Sequence, residues 1–281
     1  MSRRIREICF AWAARLSAFA IVLILCAILY TVTAKGIRTL NWQMITKTPT
    51  GDYYTGGGGG IANAIVGSIY IGLGATLLAM VISLPATLFL RVYGDGSRFA
   101  GMVRGLLDVL WGVPSIVFGA FGFVLMMMVG LRASLLAGII TVALLELPIM
   151  IRAIDEVLRA IPRDLDESAY ALGSNKFEVA VRVIGRQGLQ GMVSGILLAF
   201  GRGVGDAASV LFTAGFTDRI PHSLFEPAAT LPLAVFFQLG TPYESVRNRA
   251  YGAALVLVIL VLGVSIVSRL LGRRLGRYVI R

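Results

Sequence analysis

The sequence predicts an all-α membrane protein that crosses the bilayer six times, and three observations predict it. Hydrophobic residues fill 57% of its 281 positions and charged residues only 15%, against roughly 25% charged residues in soluble domains. The apolar residues gather into runs long enough for a spanning helix, which takes about 20 residues. Lysine and arginine are spread unevenly between the runs, as in a chain whose loops alternate between two sides of a membrane.

The first run, Leu16–Ala34, follows MSRRIRE. A cleaved signal peptide is the alternative, because VTAK resembles a small-residue cleavage site. The run is longer than the usual signal core of about 7–15 residues, so a retained helix is expected. Further spans are expected at Ile61–Leu90, Gly105–Gly130, Ala133–Ile151, Leu189–Ala214 and Ala250–Leu271. With six spans both termini share a side. That side collects eighteen lysines and arginines, the other seven, and Arg202 lies inside a span. The richer side is expected to be cytoplasmic. The net charge of +11 is thereby explained without nucleic acid. Cys9 and Cys26 lie in or beside the first run and read as reduced thiols.

Three domains are expected: 1–60, with the first helix and a glycine-rich outer linker; 61–272, a five-helix transmembrane core; and a basic cytoplasmic tail, 273–281. AATLPLAVFFQL (228–239) is too short to span and reads as an interfacial or re-entrant piece on the outer face. GGGGG (56–60) reads as a flexible linker. It lacks the Lys-Ser/Thr ending of a phosphate-binding P-loop, and no such motif occurs anywhere in the chain, so no ATP site is expected here. His222 is the only histidine, and no metal site is expected.

Residues 152–186 are too long and too patterned for a simple connector. Asp164, Asp166 and Glu167 sit where a helix N-terminus favours negative charge. Gly173 is placed to end that helix in the left-handed conformation. Ser174 is expected to cap a second helix carrying Phe177, Val181 and Ile184 at helical spacing. Such an elbow suits docking by another protein, or packing against its own bundle; both readings are open.

Glu167-Ser168-Ala169, followed three residues later by Gly173, resembles the Glu-Ala-Ala loop of permeases of ATP-binding-cassette importers. Val183, Gly185 and Arg186 depart from the second half of that pattern. GGGGGIANAIVGSIYIGL (56–73), GVPSIVFGAFG (112–122), AIPRDLDESAYALG (160–173) and GRGVGDAA (201–208) together resemble the PstA-type permeases of bacterial phosphate importers over roughly residues 56–272. Asp206 replaces the family's usual glutamate and Ser209 a frequent proline. The resemblance implies a type I importer permease (MetI-like) fold in a bacterial or archaeal inner membrane. It further implies a second permease subunit, an ATPase dimer that binds the ATP, an outer phosphate-binding protein and surrounding lipid as partners. Glu167, Ser168, Ala169 and Gly173 would be the elbow that meets the ATPase.

Arg202 and Asp206 are spaced to share one face of the fifth helix. A lone charge at mid-membrane costs about 2.5–3.5 kcal/mol on insertion scales, so the pair is expected to face the bundle or a water-filled path. One reading is a translocation-path site in which Arg202 meets an oxyanion through its forked donors; the other is a structural ion pair. Gly112, Pro114, Ser115 and Gly119 are expected to bend or closely pack the third span rather than contact a solute, and Met126, Met127 and Met128 to pack or face lipid. Glu146 is expected either to pair with a neighbouring arginine or to lie near water. Rival readings are a permease for sulfate or molybdate, which those anions would reveal by competition, and an ion-coupled carrier using Glu146 and Asp206, which would need no ATPase. A membrane scaffold or sensor would move no solute.

Overall fold

A computed structural model describes residues 3–275, and every regular element among them is helical. Helices satisfy their own backbone hydrogen bonds, which lipid cannot do. α1 (Arg3–Thr39) is a long apolar helix, and Gly36 alone among its residues 7–39 is buried. There it meets the last helix: Gly36 lies against Leu255, Lys35 Nζ sits 4.6 Å over the Tyr251 ring, and Thr39 Oγ1 donates to Asn248 O at 3.2 Å. Asn41 caps the short α2 (Trp42–Thr46), and a 3-10 turn at Tyr53–Thr55 leads to α3 (Ala62–Val92). α4 (Arg98–Gly112) and α5 (Ser115–Met128) follow, then α6 (Leu135–Arg159), capped by Ser134. The elbow begins with α7 (Asp164–Ala171). α8 (Lys176–Glu178), a π-helical stretch (Val179–Ile184), α9 (Gly185–Gln187) and α10 (Leu189–Val204) then lead back to the core. α11 (Leu231–Leu239) and α12 (Glu244–Leu275) complete the chain.

The core is the packing of α3, α6 and α10. Ala75 and Ala79 of α3, Val142, Met150 and Ile154 of α6, and Ala199 of α10 form one buried cluster. Small residues at these contacts let backbones approach, which is how helices gain contact energy in lipid. A second cluster joins Met44, Tyr53, Ile61, Leu231, Ala234 and Ala253 beneath α12. The apolar segment expected to re-enter thus becomes α11, whose Leu231, Leu233 and Ala234 are buried.

Two expected spans need correction. α1, α3, α6 and α12 are each long and apolar enough to cross a bilayer, but 105–130 is not a single helix. Its halves, α4 and α5, meet at 101°. Val113, extended at ψ 130°, precedes Pro114, which has no N–H to donate and disfavours helix in the residue before it. The run 189–214 stays apolar, yet its helix stops at Val204 and residues 205–214 form turns. The six expected spans are four full-length helices, one bent pair and one short helix. Most of the basic tail at 273–281 lies outside the described residues.

The glycine run is a built loop, not a slack linker. Arg249 of α12 donates to Tyr53 O at 2.9 Å, to Gly56 O at 3.2 Å and to Gly57 O, and its guanidinium lies 4.7 Å from the Tyr53 ring centroid. Tyr54 donates to Asp218 Oδ1 at 2.6 Å, tying this loop to the one before α11. Burial, and then the bond to Asp218, push the Tyr54 phenol well above its ordinary pKa.

Candidate functional site

The charged residues of α10 do not pair as their spacing suggests. Arg202 sits exposed in the last turn of α10, with no ion-pair partner among the described residues. A cation there complements the helix's C-terminal dipole. Asp206 lies beyond the helix end. Its N–H donates to Gly203 O at 3.2 Å, and its Oδ1 accepts from Ala208 N at 3.0 Å. This is the local turn that aspartate favours over continued helix, and it breaks the four-residue spacing that would have brought the charges together. Asp206 Oδ2 is buried without a partner.

One residue along, Gly203 faces the opposite way, into the core. A methyl group there would overlap Glu146 Oε1 and stand 2.9 Å from Val142 Cγ1. Glu146 is fully buried at the middle of α6. Neither expected setting holds for it: among the described residues no arginine pairs with it, and it is buried rather than near water. Thr76 of α3 donates to its Oε2 at 2.9 Å, and its Oε1 has no partner. One carboxyl group thus sits where α3, α6 and α10 meet, directly behind the helix turn that presents Arg202.

The residues around the third-span break are placed as follows. Gly112 ends α4 in open space, Pro114 caps α5, and Ser115 begins it. Gly119 is the close approach: a Cβ would stand 2.7 Å from Ala208 O, so α5 lies against the turn that follows Arg202. Met126 is buried, whereas Met127 and Met128 are exposed. At the opposite end from the elbow, His222 and Arg219 line a cavity of about 670 Å³ with Thr217 and Glu226, and Glu226 Oε2 accepts from the His222 N–H at 2.8 Å.

The elbow forms from local rules. Acidic residues occupy the first turn of α7, and Ser168 Oγ donates to Asp164 O at 2.7 Å. Gly173 closes the helix at φ +86°, with Gly173 N donating to Tyr170 O and Ser174 N to Ala169 O. The cap of the second helix is Asn175 rather than Ser174. Asn175 Oδ1 accepts from Glu178 N at 2.9 Å while Glu178 Oε2 accepts from Asn175 N at 3.1 Å, satisfying two free donors at once. Ala169 packs into the main core while Glu167 is exposed. Leu172 is 88% exposed and Phe177 67%, with Tyr170 and Val181 also exposed. Ile184 is buried, so the expected stripe divides between a free tip and the core.

Sequence reasoning missed the ion pairs that fasten this elbow. Arg91, near the end of α3, meets Asp166 of α7 at 2.8 Å. Arg104 of α4 grips the fully buried Asp155 of α6 through both carboxyl oxygens, at 2.8 and 3.0 Å. Arg163 meets Asp95 at 2.8 Å, and Arg152 meets Asp108 at 2.7 Å. Their partners are 44 to 75 residues apart in sequence, so no helical spacing reveals them.

Residues 83–281 match the family described as the binding-protein-dependent transport system inner membrane component. The chain is similar to the phosphate transport system permease protein PstA of Haemophilus influenzae, 35% identical over 88% of this chain and 86% of that protein. The PstA of Yersinia pestis is 34% identical, over 87% and 82% of the two chains. PstA 1 of Mycobacterium tuberculosis H37Rv is 33% identical, over 91% and 84%. Among solved structures, an inward-facing form of the MetNI methionine ABC transporter has a similar fold: TM-score 0.62 at 19% identity, covering 76% of this chain and 95% of that one.

Proposed function

The chain belongs to the family of inner-membrane components of binding-protein-dependent transport systems, and on that premise we propose that it forms half of the pathway of an ATP-driven phosphate importer. It is a multi-pass inner-membrane protein with a MetI-like importer permease fold. A second, similar permease completes the pathway, an outer binding protein delivers phosphate, and a separate ATPase dimer binds ATP and docks on the elbow.

The observation that carries the reading is Arg202, an exposed guanidinium without a counter-ion among the described residues, in the last turn of a core helix. A free guanidinium offers parallel donors to a tetrahedral oxyanion. The Asp206 carboxylate, just beyond the helix end, limits how tightly an anion is held. Phosphate, rather than another oxyanion, is supported by the relatives' role. At the other end, Leu172 and Phe177 give the ATPase an apolar knob to grip, and the Gly173 turn fixes its angle. Closure of the ATPase moves the knob, and α10, which bears Arg202, follows with its neighbours, exposing the anion to alternate sides.

The test is uptake of radiolabelled phosphate by phosphate-starved cells with and without the gene, with sulfate and molybdate as competitors. Loss of a component that only phosphate competes for supports the reading. Unchanged uptake in cells with no second high-affinity system removes phosphate from it, and competition by sulfate or molybdate redirects it to those anions. Gly173→Leu should leave the protein in the membrane and abolish ATP-driven uptake; full uptake by that variant would sink the elbow's role.

A further inference from the structure

We propose that Arg91 is the positioning residue that carries movement of the elbow into α3; the proposal rests on the reading of the elbow as the ATPase's docking element. The covalent link from α6 to α7 is a short turn, Ala160–Arg163, containing Pro162. The turn alone does not fix the angle of α7; Ala169 of α7 packs into the core, and a side chain inside the turn adds a second, directional hold. Arg91 fills the inside of that turn. Its Nε donates to Leu158 O at 3.0 Å, its Nη2 to Ile161 O at 3.3 Å, and its Nη1 meets Asp166 Oδ2 at 2.8 Å. The end of α6, the turn and the first turn of α7 are thus pinned to one group on α3.

The burial of this group separates it from a surface ion pair. The Arg91 side chain is 5% exposed and that of Asp166 13%. Surface pairs contribute little because water screens them, but a desolvated fork serving three acceptors in three directions holds a geometry. The neighbouring pairs brace the same end: Arg163 reaches Asp95 just past α3, and Arg104 binds both Asp155 of α6 and Leu90 O of α3.

α3 then carries the displacement the length of the molecule. Its 31 residues span about 46 Å and are bonded to neighbouring elements at three further depths, the nearest being Ser83 Oγ to Met150 Sδ of α6 at 2.8 Å. Midway, Thr76 donates to Glu146, behind the turn that presents Arg202. At the far end, Ser68 Oγ accepts from Leu231 N at 2.7 Å and Asn63 Nδ2 donates to Thr217 O at 2.6 Å. A pull on Asp166 therefore reaches the anion helix and the far loops through one helix.

The test uses the intact complex, purified through a tag on this chain and reconstituted with its binding protein in phospholipid vesicles. Radiolabelled inorganic phosphate accumulated and ATP hydrolysed are measured in the same vesicles, for wild type, Asp166→Asn, Arg91→Lys and Gly173→Leu. Asparagine keeps the shape of Asp166 and removes its charge. Lysine keeps the charge of Arg91 but gathers its donors on one nitrogen, which cannot reach acceptors met by three separate guanidinium nitrogens. Phosphate moved per ATP should fall roughly fivefold or more in Asp166→Asn, in line with the loss of one inter-site coupling, and should fall in Arg91→Lys as well. A wild-type ratio in both, with Gly173→Leu uncoupled, overturns the role of Arg91 and leaves the elbow reading standing. A wild-type ratio in all three overturns the elbow reading itself. Should Asp166→Asn not assemble, Arg91→Lys decides: a wild-type ratio in it overturns the proposal.

Discussion

Replacing Gly203 with alanine tests the packing of α10 against α6. The added methyl would overlap Glu146 Oε1 and crowd Val142 Cγ1, so either α10 shifts off α6 or the Glu146 side chain turns away from Thr76. Overpacking costs about 1–3 kcal/mol, and loss of the Thr76 hydrogen bond adds about 1 kcal/mol. Together they predict a loss of roughly 2–4 kcal/mol, which lowers Tm by about 4–16 °C at the 2–4 °C per kcal/mol of a large domain. Gly201, two residues earlier on the same helix, has open space where its Cβ would go. Gly201→Ala is the internal control and should stabilise by about 0.5–1 kcal/mol through helix propensity. The assay is thermal unfolding in detergent, followed by loss of the monodisperse peak on size-exclusion chromatography. Glu146→Ala in the Gly203→Ala background should recover part of the loss, because it removes the obstructing oxygen. If Gly203→Ala melts with Gly201→Ala, the close contact with Glu146 does not exist and the reasoning fails.

Arg202→Ala should reduce uptake of phosphate at subsaturating concentration by about 10- to 100-fold, the worth of a charge-assisted hydrogen bond, with Tm unchanged because no partner is orphaned; a large fall in Tm with normal uptake would make Arg202 structural. Asp155→Asn should cost about 3–5 kcal/mol by leaving the guanidinium of Arg104 without its buried counter-charge, read as a lower yield of folded protein and a lower Tm. Arg249→Ala should loosen residues 53–60 and speed their cleavage in limited proteolysis, while cleavage at the elbow stays at the wild-type rate.

Much of this molecule is legible in its sequence, because the apolar runs and the charge pattern express the two strongest rules of the bilayer. Gly173 was readable for a similar reason: a glycine closing an acid-led helix has a local cause and a local consequence. The third and fifth spans misled because hydrophobicity reports burial from water and says nothing of helical continuity. In 105–130 the decisive residue is Pro114; in 189–214 it is Asp206, whose side chain caps a turn that the apolar residues around it conceal. The spacing of Arg202 and Asp206 implies a pair only while the helix persists between them. Glu146 stood out as a lone acid in an apolar run, but its partner, Thr76, is one threonine among several apolar-helix candidates 70 residues away. Arg91 counted only among the basic loop residues and Asp166 only as an acid suited to a helix start, and only the packing of α3 against the elbow brings them together.

The early end of α10 also bears on a copy of the chain that has found no partners. Because Gly203 meets Glu146 at the midpoint of α6, a helix long and apolar enough to span, the turns after Val204 begin level with the middle of that helix. Backbone without helical bonds is tolerated at that depth only against protein or trapped water. Some of this segment is protected from within: Ser134 N bonds Thr213 O, Ala228 N bonds Ala214 O, and Ser209 and Val210 are buried. Gly205 and Phe212 are not. An orphan subunit would press these residues and the bare guanidinium of Arg202 into acyl chains, drawing water and headgroups inward and thinning the bilayer around itself. Assembly with a partner that covers these residues would remove that defect.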